Sequence, residues 1–515
     1  MIKMKKINEN IKEKYRKIID IKKSMYLKKD ITIELLNLAE LYISIEKYEK
    51  AFKIYDKALI LNQGGAEIYY LKGNLYLDLK EYKKSINEYE ICLNLNPDKI
   101  EAICNKGIAF YSLGEYEKSI YYFDQVILKN TKITEAYYNR GNAYQALYKF
   151  NCACNDYDEA IKLRPYEPEF YYSKANALQE EHRFKDALKY YDDAIKLKPD
   201  HVEARINKSL TLLMIGKYSE GFKLYEWRSK KKINFQRELS NKRKWDGRES
   251  LKNKKILITN EQGFGDFIQF IRLLETLKTK ECKILLETPK SMVGIVRSIN
   301  YVDQIVQDNI GTAEFDYYCS LLSLPSALKL KINHIPNKVP YIFINEKKLN
   351  QWNKIIKSAV NMKKIGLIWR GSTNNDLHLN KNLTTRKIKL NDLLESLSNK
   401  HDYYSIQKDI DEDERKLLEK YNIKNHMADV EDFADTGSIC TLMDTIITID
   451  TSVAHLAGAL GLEVWLLLPF HCDWRWMSNK DNLKWYPTIK IYQQNKERNW
   501  KSVLSKLKKD LEFNG

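Results

Sequence analysis

The chain has 515 residues, with 86 Lys and Arg against 69 Asp and Glu, a formal net charge of +17. This length exceeds what one hydrophobic core supports and implies several domains, and a mean hydropathy of -0.53 fits a folded chain with a wet surface. No zinc finger, aromatic RNA-binding motif or long basic block accompanies the charge, so specific nucleic-acid binding is set aside; the 8 cysteines form no disulfide framework and read as free thiols of a reducing, cytoplasmic compartment.

The chain opens MIKMKKINENIKEKY, which carries charge but no apolar run and reads as no secretory signal. Residues 1–31 are expected to form a Lys-rich capping helix. The greasiest stretch, TIITIDTSVAHLAGALGLEVWLLLPF, is interrupted by Asp450, His455 and Glu463. It reads as buried strand, helix and strand, with no transmembrane segment.

From residue 32 the sequence repeats. Ala39, Gly73, Gly107, Gly141, Ala175 and Ser209 follow one another at intervals of 34 residues. Downstream of each comes Tyr42, Tyr76, Phe110, Tyr144, Leu178 or Leu212, then Ala51, Ser85, Ser119, Ala153, Ala187 or Gly221, then Tyr55, Tyr89, Phe123, Tyr157, Tyr191 or Tyr225. Small residues let two helices approach, aromatics fill the space between hairpins, and Pro97, Pro165 and Pro199 stop second helices. The pattern resembles the tetratricopeptide repeat, kept six times over 32–235. Such hairpins stack into a superhelix whose groove holds a protein or peptide; a passive spacer or dimerisation arm is the plainer alternative, and a homo-oligomer is compatible with it. The last repeat ends in YEWRSKKKINF, where Arg228 suits a hairpin abutting another domain.

A linker over 236–250 leads to a different pattern, strand alternating with helix. Strands are expected at KILIT, KILLE, FDYY, YIFI, IGLIW, DYYSIQ, TIITI, EVWLLL and IKIY. That alternation implies open, mostly parallel sheets, enough for two lobes, 251–352 and 353–497, with the hinge near 353–364. The final helix, 498–515, is expected to cross back to the first lobe. Ligands of such folds bind at the C-terminal ends of the strands.

Three stretches carry chemistry. In ILITNEQGFGDFIQF a strand, a Gly turn and a helix bring Asp266 to the helix start. A carboxylate there repels phosphate, so Asp266 is either an N-cap or a group that works on something else. In TIITIDTSVAHLAGALG a strand ends at Asp450, and Thr451, Ser452 and His455 open a helix, a ready phosphate cradle or an ordinary capped junction. In GLIWRGSTNNDLHLNKNLTTRKIKL the loop supplies Arg370, Gly371, Ser372, Thr373, Lys381, Thr384, Thr385 and Arg386, cations and hydroxyls suited to a diphosphate or simply a solvated basic loop. Thr385 and Arg386 are the preferred pair, with Lys381 as the competing cation. Gln407 and Lys408, after DYYSIQ, are candidates for contacts to a base and ribose. Trp474, Arg475 and Trp476 either line a sugar site or pack between loop and core.

Taken with YEWR, WDG, NEQGFGDFIQFIR, GLIWRG, FADT, IDTSVAHLAGALG, VWLLLPF and DWRW, the chain resembles bacterial proteins that fuse tetratricopeptide repeats to a domain of the ADP-heptose:lipopolysaccharide heptosyltransferase superfamily. The resemblance implies a multidomain chain: an all-α repeat superhelix followed by an α/β GT-B fold of two Rossmann-like lobes. It implies metal-independent, inverting transfer of a sugar from a nucleotide-sugar, with no cofactor, to a hydroxyl of a protein or other extended acceptor held by the repeats. Asp266 matches the family's proposed base, and Asp450, Thr451 and His455 match its donor-phosphate pattern. The family's basic phosphate residue has no secure counterpart. A non-catalytic scaffold with a degenerate sugar-nucleotide fold is the alternative.

Overall fold

The computed structural model describes residues 13–22, 31–61, 65–231, 239, 242–261, 263–307, 313–357, 362–371, 388–476 and 484–513. Helices come first, in pairs: α1 (Thr32–Ser44) with α2 (Tyr48–Leu61), α3 (Ala66–Asp78) with α4 (Tyr82–Leu95), α5 (Ile100–Leu113) with α6 (Tyr116–Lys129), α7 (Thr134–Ala146) with α8 (Phe150–Leu163), α9 (Pro168–Glu180) with α10 (Phe184–Leu197), and α11 (Val202–Met214) with α12 (Tyr218–Tyr225). Contacts divide the chain into two compact units, one built from residues up to Glu181 with Asp192–Lys198, the other from His182–Tyr191 and Pro199 onward.

Within the first unit the small positions have a direct steric cause. A Cβ on Gly73 would lie 2.5 Å from Tyr89 Cε1, one on Gly107 2.9 Å from Phe123 Cε1, and one on Gly141 2.8 Å from Tyr157 Cε1. The aromatic of each second helix thus lies flat on the first helix of its own hairpin, fully buried. Ser85 and Ser119 add a hydroxyl donated to the carbonyls of Gly73 and Gly107, both at 2.8 Å. Cations hold successive hairpins together: Lys72 pairs with Asp56 at 3.1 Å, Lys106 with Glu90 at 3.0 Å, Arg140 with Asp124 at 2.5 Å and Lys174 with Asp158 at 2.5 Å.

The turn inside each hairpin is periodic as well. Glu46, Lys80, Gly114, Tyr148, His182 and Gly216 all have positive φ, between 58° and 82°. Four of the six bear a side chain in a left-handed conformation that favours glycine.

In the second unit all strands pair in parallel. The first sheet contains β1 (Arg243–Lys244), β2 (Lys255–Thr259), β3 (Lys283–Glu287), β4 (Gln304–Val306) and β5 (Tyr317–Ser320), in the order β1-β5-β2-β3-β4. The second contains β6 (Lys363–Ile368), β7 (His401–Ser405), β8 (Lys424–Asn425), β9 (Thr445–Ile449), β10 (Val464–Leu468) and β11 (Ile489–Gln493), in the order β11-β10-β9-β6-β7-β8. β9 and β10 are buried along their whole length, as parallel strands covered on both faces require.

Two expectations need correction. YIFI is not a strand. Prolines at 336 and 340 precede it, the Tyr341 N–H donates to Ala459 O at 3.0 Å, and the Phe343 N–H donates to Ser298 Oγ at 3.1 Å. Its polar groups are met by a helix end and a side chain, so no ladder forms. The last helix, α15 (Lys501–Phe513), stays on the second lobe. Its Val503, Leu504, Leu507 and Leu511 share a core with Leu367, Ile447, Leu467 and Tyr492, and Asp510 binds Lys490 and Tyr492. The apolar stripe is satisfied on the nearest sheet. The hinge expected at 353–364 is entered by a helix, Glu346–Ile355.

The sixth hairpin is part of the α/β core. Leu213, Met214, Tyr218 and Phe222 belong to the same buried cluster as Trp245, Phe270, Trp474 and Trp485. The Tyr218 ring meets Trp474 edge-on at 5.7 Å, and the Trp485 indole N–H donates to Tyr218 Oη at 3.1 Å. Arg228, 8% exposed, donates to Glu261 and to Ser323 Oγ.

Two outcomes follow. Lys80 is exposed, so Lys80→Gly relieves its left-handed backbone without losing a buried contact and is expected to raise unfolding free energy by about 0.5–1 kcal/mol; Gly114→Ala should lower it by about 1 kcal/mol. Denaturant unfolding measures both. A chain starting at residue 236 is expected to melt lower and bind an apolar dye, because each deleted core side chain carries about 1.5–3 kcal/mol. A chain starting at residue 168 keeps those side chains and the His182–Tyr191 segment of the same unit, and should do neither.

Candidate functional site

The strand orders locate the site. In the first sheet β2 continues to β3 on one side while β5 lies on the other; in the second, β6 leads to β7 on one side while β9 lies on the other. At such a switch point the adjoining loops diverge and leave a crevice at the C-terminal strand ends. The turn after β2 begins at Asn260, and the turn after β9 begins at Asp450.

Helix α13 (Phe264–Phe270) and helix α14 (Ser452–Ala459) rise from these turns and pack against each other. A Cβ on Gly265 would lie 2.8 Å from His455 Cδ2 and 3.4 Å from its Nε2. The contact sets Gly265 against His455 and brings Asp266 within the field of Asp450. His455 is 5% exposed; its Nδ1 lies 3.0 Å from Tyr486 Oη and its Nε2 4.0 Å from Asp450 Oδ1. The Trp476 ring covers it at 4.9 Å. Thr451 precedes α14 in extended conformation without a side-chain cap, its Oγ1 lying 3.2 Å from Thr448 Oγ1. The Ser452 and Val453 N–H groups open α14 and are the ones an anion at this helix start would use.

Asp266 does not cap α13. Its carboxylate accepts from Arg475, which also donates to Asp473 at 2.7 Å and to Gln269 Oε1. Arg475 is 8% exposed and stacks on Trp474 at 4.6 Å. Burial raises the proton affinity of Asp266; Arg475 opposes this, and Asp473, Asp450 and Glu261 reinforce it, leaving the carboxyl above its ordinary range. Burial pushes His455 the other way, from 6.5 to about 3, with Arg475 and Arg272 assisting and Asp473 opposing. His455 is therefore a neutral imidazole near neutral pH.

The remaining candidates are dispersed. Arg370 follows β6, but its guanidinium pairs with Glu414, Nε to Oε1 at 2.9 Å and Nη2 to Oε2 at 2.8 Å. Gln407, at the end of β7, accepts the Arg370 backbone N–H at 3.2 Å. Lys408 beside it is exposed. Ser372, Lys381, Thr385 and Arg386 lie outside the described residues, as do Thr373 and Thr384. Sequence reasoning left Arg475 undecided and did not single out Tyr486 or Arg272. The local signals were DWRW, after a strand end, and the final Arg of NEQGFGDFIQFIR. Among the described residues no group of three or more His, Cys, Asp and Glu side chains is arranged to hold a metal ion, and no helix is long and apolar enough to cross a membrane.

Family models described as TPR repeat or tetratricopeptide repeat match residues 34–67, 73–114, 134–167 and 172–226. Tetratricopeptide repeats thus occupy the N-terminal region, and repeats of this kind commonly bind protein or peptide partners. A search of curated protein sequences gave no match. Among solved structures the chain is similar to YrrB, a TPR protein with an unusual peptide-binding site, at 25% identity over 37% of this chain and 98% of that one, with a TM-score of 0.32. It is similar to MamA at 21% identity, covering 33% and 92%, TM-score 0.31, and to PilW, a type IV pilus biogenesis factor, at 18%, covering 41% and 96%, TM-score 0.37.

The buried histidine gives a pH dependence of known sign. The unfolded imidazole binds a proton near 6.5 and the folded one only near 3, so stability from His455 is present above about pH 6.5 and is lost as pH falls through the window toward 3. His455→Gln is expected to flatten that loss, which is on the order of a few kcal/mol for a shift of this size, in thermal unfolding measured across the window. An unchanged pH profile would mean that His455 titrates alike in both states.

Proposed function

We propose that the α/β half is an inverting, metal-independent glycosyltransferase acting from a nucleotide-sugar, and that the repeats hold its protein or other extended acceptor. The observation that carries this is the packing of Gly265, on the helix that follows β2 of one parallel sheet, against His455, on the helix that follows β9 of the other, which brings Asp266 within the field of Asp450. A crevice at paired switch points suits a nucleotide, and the start of α14 suits its diphosphate. The resemblance to the heptosyltransferase superfamily implies these tasks for Asp266 and for Asp450, Thr451 and His455.

In this reading the acceptor hydroxyl loses its proton to Asp266 as its oxygen bonds to the anomeric carbon from the face opposite the leaving group. The bond from that carbon to the phosphate oxygen breaks, and the nucleoside diphosphate leaves with the electron pair. A carboxylate with raised proton affinity is the better base, and burial beside Asp473, Asp450 and Glu261 works in that direction. Arg475 keeps the carboxylate oriented through a charge-assisted hydrogen bond. The N–H groups at 451–453 and the His455 ring face the departing oxygens, where preorganised donors act without reorganisation. Arg370 is tied to Glu414 and serves to hold the ends of β6 and β7. Diphosphate cations are assigned to Lys381 or Arg386.

A second reading has its own support. Asp266 is engaged by Arg475 and Arg370 by Glu414, as in a non-catalytic interaction module that keeps a sugar-nucleotide fold for its shape. Incubation with a panel of nucleotide-sugars, following nucleotide release, separates the two: release with one donor supports transfer, and neither binding nor release with any donor supports the module. For the enzyme, Asp266→Asn keeps side-chain size and a partner for Arg475 but cannot take a proton. Transfer is expected to fall at least ~100-fold with donor affinity within a few fold, whereas Arg386→Ala should weaken donor affinity and rate together. Near-parental transfer by Asp266→Asn would remove it as the base.

A further inference from the structure

Behind His455 lies a buried cation that the mechanism above does not use. Arg272 is 1% exposed. Its guanidinium sits over the rings of Tyr341 at 4.1 Å, Tyr486 at 4.6 Å and Trp485 at 5.6 Å. Its Nη1 donates to the carbonyls of Pro336 and Trp485, at 3.0 and 2.5 Å. Among the described residues no carboxylate pairs with it, and Nε and Nη2 have no hydrogen-bond partner. A cation removed from water without a counter-ion is costly, and here the faces of the aromatic rings supply its main compensation.

Those rings lead to the candidate site. Tyr341 Oη donates to Ile268 O at 2.9 Å, which uses its only proton. Tyr486 Oη lies 3.5 Å from Tyr341 Oη and 3.0 Å from His455 Nδ1. Two arrangements satisfy the heavy atoms. In one, Tyr486 donates to a bare Nδ1 and the imidazole proton resides on Nε2. In the other, Nδ1–H donates to Tyr486 and Nε2 presents a lone pair. Two features select the first. Burial pushes the Tyr486 hydroxyl up and so keeps its proton in place, while the guanidinium over the ring opposes that push and makes it a better donor than the same ring without the cation. On the opposite edge, Asp450 Oδ1 stands 4.0 Å from Nε2, and a carboxylate there attracts an N–H and repels a lone pair.

We propose that Arg272 and Tyr486 are positioning residues that hold His455 as a neutral imidazole with its proton on Nε2, so that it meets an oxygen at the mouth of α14 as a hydrogen-bond donor. The charged groups around the ring come from three directions: Asp450 from the end of β9, Arg475 and Asp473 from the loop after β10, and Arg272 from the end of α13. They are two carboxylates and two guanidinium groups, so burial decides the ring's charge, and the hydroxyl of Tyr486 decides which nitrogen keeps the proton. The oxygen is that of a leaving diphosphate only if the function proposed above holds. The protonation state itself does not depend on that reading.

The test is nitrogen NMR of the full chain with ¹⁵N-labelled histidine, the His455 signals being identified by their loss in His455→Gln. The expected result is one neutral tautomer, Nε2 protonated and Nδ1 bare, unchanged between about pH 8 and about pH 5. Tyr486→Phe keeps the ring on Arg272 and removes the hydroxyl; it should yield a mixture of tautomers or a ring that protonates within that range. Arg272→Met, of similar length and without charge, should shift the His455 signals the same way with Tyr486 intact. Protonation of the parent ring within the range, a parent tautomer with the proton on Nδ1, or a Tyr486→Phe spectrum identical to the parent would each overturn the proposal. Because the readout needs no sugar donor, failure of nucleotide release in the parent protein would end the transferase reading and leave this result standing.

Discussion

The absence of a side chain at Gly265 is the constraint on which the candidate site rests. With no Cβ, α13 comes down onto the edge of His455, and a methyl group there would already overlap the ring. That approach joins the ends of two sheets that have no strand in common. It sets Asp266 one residue further on, within the field of Asp450. The same device recurs one turn further along α14, where a Cβ on Gly458 would lie 2.6 Å from Tyr486 Cδ1. His455 is thus held between two places where backbone replaces side chain. In a closely packed interior such close approaches leave neighbouring atoms little room to move.

Around that contact, the buried carboxylates are held by cations from several elements. Arg475 ties Asp266 to Asp473 and Gln269. Arg228, at the end of the sixth hairpin, ties Glu261 in the turn before α13 to Ser323, while Ser320 of β5 donates to the same carboxylate. The Gly turn is therefore anchored at Glu261 by groups from the repeat end and the first sheet, and at Asp266 by one from the second lobe. A charged side chain this deeply buried is expensive unless paired, and the pairs here span elements far apart in sequence.

The distance in sequence explains what could be read from the chain and what could not. The small and aromatic positions of the repeats obey a fixed period, and the apolar runs of β2, β3, β9 and β10 are bounded by turn residues, so local pattern suffices for them. The Asp266 turn and the Asp450–His455 turn were legible for the same reason: each is a strand, a bend and a helix in consecutive residues. YIFI misled because its composition is that of a strand while its partners, Ala459 and Ser298, lie in other elements. α15 misled because an amphipathic stripe records that a face is buried without recording against what. The pairing of Arg475 with Asp266 joins residues 209 positions apart, and Tyr486 reaches His455 across 31. Neither has a spacing rule to betray it. The left-handed turns at Glu46, Lys80, Tyr148 and His182 were hidden because only Gly114 and Gly216 advertise the conformation by residue type.

The ion pairs between hairpins have a consequence for how such a chain can change length. Lys72, Arg140 and Lys174 each reach an acid sixteen positions earlier. A block of thirty-four residues excised or duplicated in frame would bring a cation back into register with an acid of the preceding hairpin. The interior hairpins are interchangeable modules in this sense. The sixth is not, since Tyr218 and Phe222 are welded into the core beside Trp474. Units can therefore be added or lost among the earlier hairpins without touching the residues packed around Asp266 and His455.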